Sequence, residues 1–267
     1  MPVTSAQLAE RTAAAADMVA NEAGEIDYPD HRSVAQGLRH NTAVRFAMDA
    51  LEVHFLARKD VLVASEFVLY YQRGDNQSWL QPDVLVSFGV PSASERSVSE
   101  GSVYKTWEEG KVPDFVLEVA LPSTVRRDAG FKALKYAALG VREYWRLDPV
   151  GRLMERDLEG YRWREGRYEP VAAVEWNRGE MLRSEVLGLD LRVATQGRGT
   201  FAVFRDPRTG EEFDGRPEAA RQQRRLAEDR AITAENRAIA AEEELSTARD
   251  EAQELKRQIR DLKGQDF

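Results

Sequence analysis

Residues 33–193 show two patterns of hydrophobic and polar positions, one typical of helices and one typical of buried strands. Together they predict a mixed α/β body. Over 33–56, apolar side chains recur at helical spacing, which predicts an amphipathic helix. Short segments that are apolar almost throughout, bounded by Pro, Gly, Asn or Asp, are typical of buried strands. The strands predicted in this way are 61–64, 67–71, 84–88, 115–120 and 143–147.

The second half of this body mixes one further helix with antiparallel strands. Residues 126–139 are predicted to form a helix that ends at Gly140, because glycine is the usual residue just beyond a helix C-terminus. Alternating polar and apolar positions predict hairpin strands at 153–158, 161–163 and 168–171, and 182–193 is predicted to close the body.

The last fifty residues follow a different pattern, with apolar positions stepping by three and four over about five heptads. These positions are Ala227, Ala231, Ala234, Ala238, Ala241, Leu245, Ala248, Ala252, Leu255, Ile259 and Leu262. The pattern predicts a coiled coil that pairs two copies of the chain. A solvated single helix stabilised by ion pairs four residues apart is the alternative. The predicted organisation is an N-terminal extension (1–27), an α/β domain (28–205), a linker (206–216) and the coiled-coil helix (217–264).

Composition removes several classes of function. The chain has 267 residues and no cysteine, which excludes disulfides, thiolate zinc sites, iron–sulfur clusters and cysteine nucleophiles. Its three histidines leave little for a histidine-rich metal site. No apolar run could span a bilayer, and the first residues lack the pattern of a signal peptide, so we expect a cytoplasmic protein without membrane contact. The net charge of −8 does not indicate a strongly basic nucleic-acid binder.

Ionisable residues stand where the predicted strands end or are buried. Asp83 begins an apolar strand, and Glu118 interrupts another. An unpaired carboxylate inside an apolar strand is costly, so Glu118 needs a cation or a hydrogen-bond partner. Asp128, Lys132 and Tyr136 share one face of the following helix because they are spaced by four residues. Two carboxylates and a lysine together predict a site for Mg²⁺ or Mn²⁺ that activates water.

Each of these residues also has a purely structural interpretation. Asp83 could be a turn residue, Glu118 could pair with Lys132 without a metal, and Lys132 could lie on a solvated face. Asp128 could only favour the helix N-terminus, where negative charge is stabilising. Asp114 follows a proline like Asp83, but it is predicted to be a strand-start residue. The aromatic residues Tyr136, Tyr144 and Trp145 are predicted to pack in the core.

Three stretches carry a resemblance to a known family. They are PDVLVS (82–87), PDFVLEVALPST (113–124) and RRDAGFKALKYAALGVREYWRLDP (126–149). In this order they resemble the Uma-two family of restriction-endonuclease-like proteins, within the PD-(D/E)XK nuclease superfamily. The resemblance covers about residues 28–195. It implies a restriction-endonuclease-like mixed β-sheet flanked by helices, DNA as the partner, and hydrolysis of phosphodiester bonds.

The resemblance also implies roles for particular residues. Asp83 and Glu118 would be ligands of Mg²⁺ or Mn²⁺, and the backbone carbonyl of Val119 would be a third ligand. The lysine that the superfamily places two residues after the glutamate is absent, because Ala120 stands there. In the Uma-two pattern that function moves to the helix, which nominates Lys132 as the catalytic lysine.

Other positions are supporting candidates. Lys135 is the second choice for the catalytic lysine, and Asp128 is a possible site residue. His40 lies on the first long helix, where the family often has a histidine. Leu121 stands where the family commonly has serine, and the substitution removes a hydroxyl close to the site.

Three functions therefore compete. The first is a metal-dependent endonuclease, which the combination of Asp83, Glu118 and Lys132 favours. The second is a protein of the same fold that binds nucleic acid without cutting it. The third is an assembly protein whose coiled coil recruits a partner. Comparing the mass in solution of the full chain with that of residues 1–210 would assign the dimer to the coiled coil.

Overall fold

The structure is a computed structural model that describes residues 37–95, 101–176, 179–197 and 199–215, with six single positions between 222 and 237. Two compact parts are distinguished, residues 1–220 and 221–267. All of the elements below belong to the first part. None of the helices in the described ranges is long and apolar enough to cross a membrane.

A six-stranded mixed sheet forms the centre of the first part, with the strand order β1-β4-β6-β7-β8-β9. Its strands are β1 (Val61–Ser65), β4 (Val84–Phe88), β6 (Phe115–Val119), β7 (Glu143–Leu147), β8 (Leu158–Arg164) and β9 (Arg167–Pro170). β6 and β7 are parallel, and the other neighbours are antiparallel. The four strands β1, β4, β6 and β7 are almost completely buried. Burial on both faces explains why they are apolar throughout instead of alternating.

One face of this sheet is covered by helix α1 (Leu38–His54) and by a second sheet. The second sheet has five antiparallel strands, which are β10 (Ala173–Trp176), β11 (Gly179–Ser184), β12 (Leu189–Gln196), β13 (Gly199–Arg205) and β14 (Glu212–Phe213). Side chains such as Val63, Val86 and Leu117 point to this face and pack with Leu51 and Phe204. The predicted helix at 33–56 is confirmed over the residues described.

The other face is covered by a composite helix and by a small sheet. The small sheet contains β2 (Val68–Tyr70), β3 (Trp79–Leu80) and β5 (Val103–Lys105), and the short helix α2 (Thr106–Glu109) follows β5. The composite helix, which we call the site helix, consists of α3 (Val125–Arg127), a π-helical turn (Asp128–Lys132) and α4 (Ala133–Leu139). It packs Tyr136 against Tyr144 of β7, with ring centroids 5.4 Å apart.

Two glycines fix the geometry around β7. Gly140 ends the site helix in the left-handed region at φ 83°, as the sequence predicted. Gly160 on β8 lies opposite Trp145, and a Cβ atom at this position would stand 2.7 Å from the indole ring. Only glycine therefore leaves room for the tryptophan, which is fully buried.

The structure corrects the prediction of a strand at 153–158. Only Leu158 begins a strand, and residues 151–157 form an irregular loop. The cause is Asp148, whose carboxylate accepts five backbone N–H groups, those of Val150, Gly151, Arg152, Leu153 and Met154, at 2.5–3.0 Å. Backbone donors that turn inward to one carboxylate are not available to a strand ladder.

The second sheet also extends further than the sequence indicated. β14 lies inside the range predicted as a linker, where it pairs with β13 and buries Phe213. The predicted coiled coil at 217–264 lies almost entirely outside the described residues. The six positions described there are helical, and Leu226 and Ile232 among them are exposed. The coiled coil and the N-terminal extension (1–27) therefore remain predictions.

Candidate active site

Asp83 and Glu118 lie close together because β4 and β6 are antiparallel. The register pairs Val84 with Leu117, so the start of β4 meets the end of β6. The carboxylate of Asp83 accepts the backbone N–H of Val119 at 2.7 Å, which fixes the aspartate against the neighbouring strand. Two carboxylates that are far apart in sequence thus lie close together at the same end of two neighbouring strands.

Glu118 points to the face of the sheet that carries the site helix. Leu117 and Val119 point to the face covered by α1 and the second sheet, whereas Val116 points, like Glu118, to the face covered by the site helix. This alternation follows from the two-residue period of a strand. The glutamate is 1% exposed. Its carboxylate accepts hydrogen bonds from Lys132 Nζ at 2.7 Å and from the Tyr136 hydroxyl at 2.9 Å. Both partners lie on the site helix.

The π-helical turn adds a third carboxylate. Asp128 is buried, and its Oδ2 atom accepts the hydroxyl of Thr124 at 2.8 Å. Its Oδ1 atom lies 3.4 Å from Lys132 Nζ and has no hydrogen-bond partner among the described residues. The backbone carbonyl of Asp128 accepts the hydroxyl of Tyr144 at 2.8 Å. π-Helical turns are frequent at functional sites, and this one positions both Asp128 and Lys132.

His40 reaches the same place from α1. Its Nε2 atom lies 3.3 Å from Asp83 Oδ2, and the histidine is 2% exposed. Burial lowers the pKa of His40, but the carboxylate of Asp83 more than offsets this effect, so the pKa is raised above its ordinary value. A protonated His40 compensates part of the negative charge of Asp83.

Acidic side chains outnumber basic ones at this site, because Asp83, Glu118 and Asp128 face Lys132 and His40. Burial raises the pKa of Glu118 to about 8, with Lys132 opposing the shift and the two aspartates adding to it. Burial disfavours the charge of Lys132, but the three carboxylates outweigh this effect and raise its pKa. A group of buried carboxylates with a perturbed pKa is typical of a functional site.

His40, Asp83, Glu118 and Lys132 line a pocket of about 180 Å³. Its lining consists of His40, Glu66, Trp79, Gln81, Asp83, Glu118, Leu121, Thr124, Arg127 and Lys132. Leu121, in the position where a serine was expected, therefore forms part of the wall. A water molecule or a phosphate oxygen that enters the pocket comes close to the carboxylates and to Lys132.

The structure separates the candidates that the sequence left open. It brings Asp83, Glu118, Asp128, Lys132 and His40 together. It places Lys135 elsewhere, because Lys135 Nζ lies 4.6 Å above the ring of Tyr71. The other Pro-Asp residue, Asp114, lies at the opposite end of β6, where it accepts the backbone N–H of Phe88 and pairs with Lys111.

Tyr136 was predicted only to pack in the core, and the structure adds a polar role. Its hydroxyl donates a hydrogen bond to Glu118 while its ring remains fully buried. Burial and the charge of Glu118 raise its pKa well above the ordinary value, so the phenol stays a proton donor. Its four-residue spacing from Lys132 was the available signal, since both side chains then lie on one helix face.

The donor set fits a hard divalent cation, with one restriction. Carboxylate oxygens are the preferred ligands of Mg²⁺ and Mn²⁺, and the Oδ1 atom of Asp128 accepts no hydrogen bond from the described residues, although it lies 3.4 Å from Lys132 Nζ. As the side chains stand, no three acidic or histidine residues in the described ranges converge on one point. Lys132 occupies the space between Glu118 and Asp128, so a cation bound there competes with the ammonium group for these oxygens.

The fold is that of an α/β protein, with a mixed sheet covered on both faces. A pocket with buried carboxylates lies at the ends of its strands, as in many enzymes. The family model described as "Uma2: Putative restriction endonuclease" matches residues 20–195. The match covers well over half of the 267 residues, so the chain belongs to this family. The match confirms the family that the three sequence stretches indicated. Every residue of the pocket lies within the matched range.

Among solved structures, the chain resembles a putative nuclease from Anabaena variabilis that belongs to DUF820. The identity is 15%, the TM-score is 0.37, and the match covers 66% of this chain and 90% of that chain. None of the curated proteins matches the chain.

Proposed function

We propose that the protein is a metal-dependent nuclease that hydrolyses phosphodiester bonds of DNA. The observation that carries the proposal is the buried group of Asp83, Glu118 and Lys132 inside a pocket. Membership of a family described as restriction endonucleases supports the same activity and points to DNA as the substrate. Carboxylate oxygens are ligands suited to Mg²⁺, and a bound cation of this kind can activate water for such hydrolysis.

Asp83 and Glu118 are the proposed ligands of Mg²⁺ or Mn²⁺, with the carbonyl of Val119 as a third. A bound cation would supply Lewis acidity, which lowers the pKa of water and neutralises charge on the phosphate. The chain's own residues prepare this site. His40 and the N–H of Val119 hold the carboxylate of Asp83, and Tyr136 holds that of Glu118.

Lys132 is proposed to position the attacking water. Its ammonium group lies 2.7 Å from Glu118 and donates to the carbonyl of Gln81 at 3.3 Å, so it is anchored on two sides of the pocket. A protonated lysine at this point also stabilises negative charge on the phosphate as the water attacks.

Cleavage of labelled DNA in Mg²⁺ and in Mn²⁺ tests the proposal. Single-stranded, duplex and branched substrates are compared for the natural protein, Asp83→Asn and Glu118→Gln. We expect each substitution to lower the rate by about 10²-fold or more, which corresponds to several kcal/mol of transition-state stabilisation. Chelation of the cation is expected to abolish cleavage.

Asp114→Asn is the matched control, because Asp114 is a buried, ion-paired carboxylate on the same strand segment but outside the pocket. It is expected to cleave at close to the natural rate once its folding has been verified. Full metal-dependent cleavage by Glu118→Gln would refute the proposal. Binding of DNA without cleavage by the natural protein would favour a protein that only binds nucleic acid.

A further inference from the structure

The outer face of the site helix is basic and apolar, in contrast to the acidic chain as a whole. Residues 125–139 contain four basic residues and one acidic residue, Asp128, which is buried. Of the four bases, Lys132 points into the pocket and Lys135 lies over Tyr71, so the two arginines give the outer face its charge. Arg126 and Arg127 are exposed. Between the basic residues stand Phe131 and Leu134, which are 53% and 74% exposed. Because they are three residues apart, they lie on the same side of the helix and form an exposed apolar patch, and contiguous patches of this kind mark interaction sites.

This face adjoins the pocket directly. Phe131 belongs to the π-helical turn that also carries Lys132, and its ring is connected to the pocket through Arg127. The guanidinium group of Arg127 lies 5.6 Å from the centre of the Phe131 ring, and Arg127 also lines the pocket. A half-buried tryptophan, Trp79, forms another part of the lining. Aromatic rings and arginine therefore occur together at the entrance of the candidate active site.

The charge of this face selects its partner. A second copy docked through the same face in a symmetric pair would bring Arg126 and Arg127 against the same arginines of the other copy, which is unfavourable. The phosphates of a nucleic acid would instead meet positive charge, and its bases would meet the exposed ring. Aromatic side chains interspersed with basic ones are the typical surface for single-stranded nucleic acid.

The exposed ring also limits the form of the DNA. Inside a duplex, each base is covered by its neighbours in the stack, so a side chain next to the backbone has no base face to contact. We propose that Phe131, backed by Arg127, stacks on an unpaired base next to the phosphate in the pocket, so that the protein acts on DNA with a single-stranded segment. This inference deepens the proposed nuclease function and rests on it for the identity of the pocket.

Equilibrium binding of fluorescent oligonucleotides of about 20 nucleotides tests the inference without any cleavage. Single-stranded and duplex probes of one sequence are compared by anisotropy on the full chain, first without divalent cations and then with Ca²⁺. We expect Phe131→Ala and Phe131→Leu to weaken single-stranded binding about tenfold or more, as the loss of one stacked base does. Phe131→Trp is expected to retain it.

Leu134→Ala is the matched control, because it removes an exposed apolar side chain of the same helix without removing a ring. It is expected to leave single-stranded binding within about twofold. A probe of abasic nucleotides checks the mechanism, since the effect of Phe131→Leu should disappear when there is no base to stack on. Duplex binding is expected to be weaker and insensitive to all three Phe131 substitutions.

Three outcomes would overturn the inference. Equal losses for Phe131→Leu and Leu134→Ala would indicate a general apolar surface. A change of solution mass in these variants, with DNA binding intact, would indicate a second copy of the chain. Duplex binding as tight as single-stranded binding would contradict the preference for DNA with a single-stranded segment. The binding assay separates failure of this inference from failure of the proposed nuclease function, because a protein that never cleaves DNA could still show Phe131-dependent binding.

Discussion

Glu118 is an acidic side chain at a position where every neighbour along the strand is apolar. Its carboxylate is retained at the cost of desolvation, and Lys132 and Tyr136 only partly compensate, since the pKa of Glu118 stays raised at about 8. Burying an ionisable group in this way does not serve the stability of the sheet. The arrangement is understandable if the carboxylate is needed for chemistry in the pocket.

Asp148 is the opposite case, a buried carboxylate whose role is structural. Five backbone N–H groups of residues 150–154 donate to it and hold the loop after β7. Burial disfavours its charge, but these backbone hydrogen bonds outweigh that effect and lower the pKa of Asp148. Its folded-state pKa therefore lies below its value in the unfolded chain.

This lowered pKa predicts a specific dependence of stability on pH. The contribution of Asp148 is fully present above its unfolded pKa of about 3.9 and is lost as the pH falls through the folded value. We expect Asp148→Asn to reduce the free energy of unfolding at pH 7 by about 2 kcal/mol, since hydrogen bonds to a charged group are lost. Urea unfolding at pH 7 and near pH 3.5 measures the difference, which should shrink at the lower pH.

Asp60→Asn is the control for this experiment. Asp60 pairs with Arg58 on the surface, and exposed ion pairs contribute little to stability. We expect a small effect at both pH values. A difference between Asp148→Asn and the natural protein that grows on acidification would contradict the structural role of Asp148.

Among the elements, the site helix determines which side chains meet in the pocket. Its π-helical turn places Lys132 between Glu118 and Asp128, whereas Lys135, one turn further, lies over Tyr71. Tyr144 and Arg146 of β7 donate to the carbonyls of Asp128 and Val125, which anchors this part of the helix to the central sheet. Two lysines that are only three residues apart on this helix therefore have different surroundings, one in the pocket and one outside it.

Replacing each lysine by methionine tests this distinction. We expect Lys132→Met to lower the rate of metal-dependent DNA cleavage by about 10²-fold, because a positioned catalytic group is lost. Lys135→Met should cleave within about twofold of the natural protein. Initial rates are measured with thermal unfolding alongside, to separate loss of activity from loss of folding. Similar losses in both variants would mean that Lys132 has no special place in the reaction.

At the scale of the whole molecule, the fold ends later than the sequence alone indicates. β14 covers part of the core through Phe213, whose ring centroid lies 5.1 Å from that of His54 on α1. A truncation after residue 210 removes this strand, whereas residues 1–220 contain the complete compact part.

We therefore predict different results for the two truncations. Residues 1–210 should lose about 3 kcal/mol or more of stability, as expected for deleting a buried phenylalanine. Residues 1–220 should retain the stability of the α/β part. Light scattering on the same samples tests the predicted coiled coil, because a dimeric full chain should give monomeric residues 1–220. A dimer that persists after truncation would contradict the assignment of pairing to the tail.

Local patterns were sufficient for the four buried strands of the central sheet, β1, β4, β6 and β7, and for the end of the site helix at Gly140. Burial on both faces makes β4 and β6 apolar throughout, and such a signal is carried by a few adjacent residues. Motif spacing was also sufficient to nominate Asp83, Glu118 and Lys132. The loop at 151–157, most of which lies in the predicted strand 153–158, was missed because the nearby carboxylate of Asp148 binds the backbone N–H groups of residues 150–154 and outweighs the alternating pattern.

Contacts between distant elements account for the rest. The sequence does not show that His40 meets Asp83, because that contact depends on how α1 crosses the sheet. It nominates Lys132 with Lys135 as the second choice, but the contact of Lys132 with Glu118 depends on how the site helix packs on the sheet. The π-helical turn and the exposure of Phe131 likewise follow from tertiary packing, which overrides local preference.

The most direct test of the proposed site is a calorimetric titration with Mn²⁺ and Mg²⁺, alone and with a short DNA present. Asp83→Asn and Glu118→Gln are compared with the natural protein and with Asp114→Asn. We predict saturable binding that is lost in both pocket variants and retained in Asp114→Asn. Binding that survives both pocket substitutions, or no binding by the natural protein even with DNA present, would contradict a metal-dependent nuclease at this pocket.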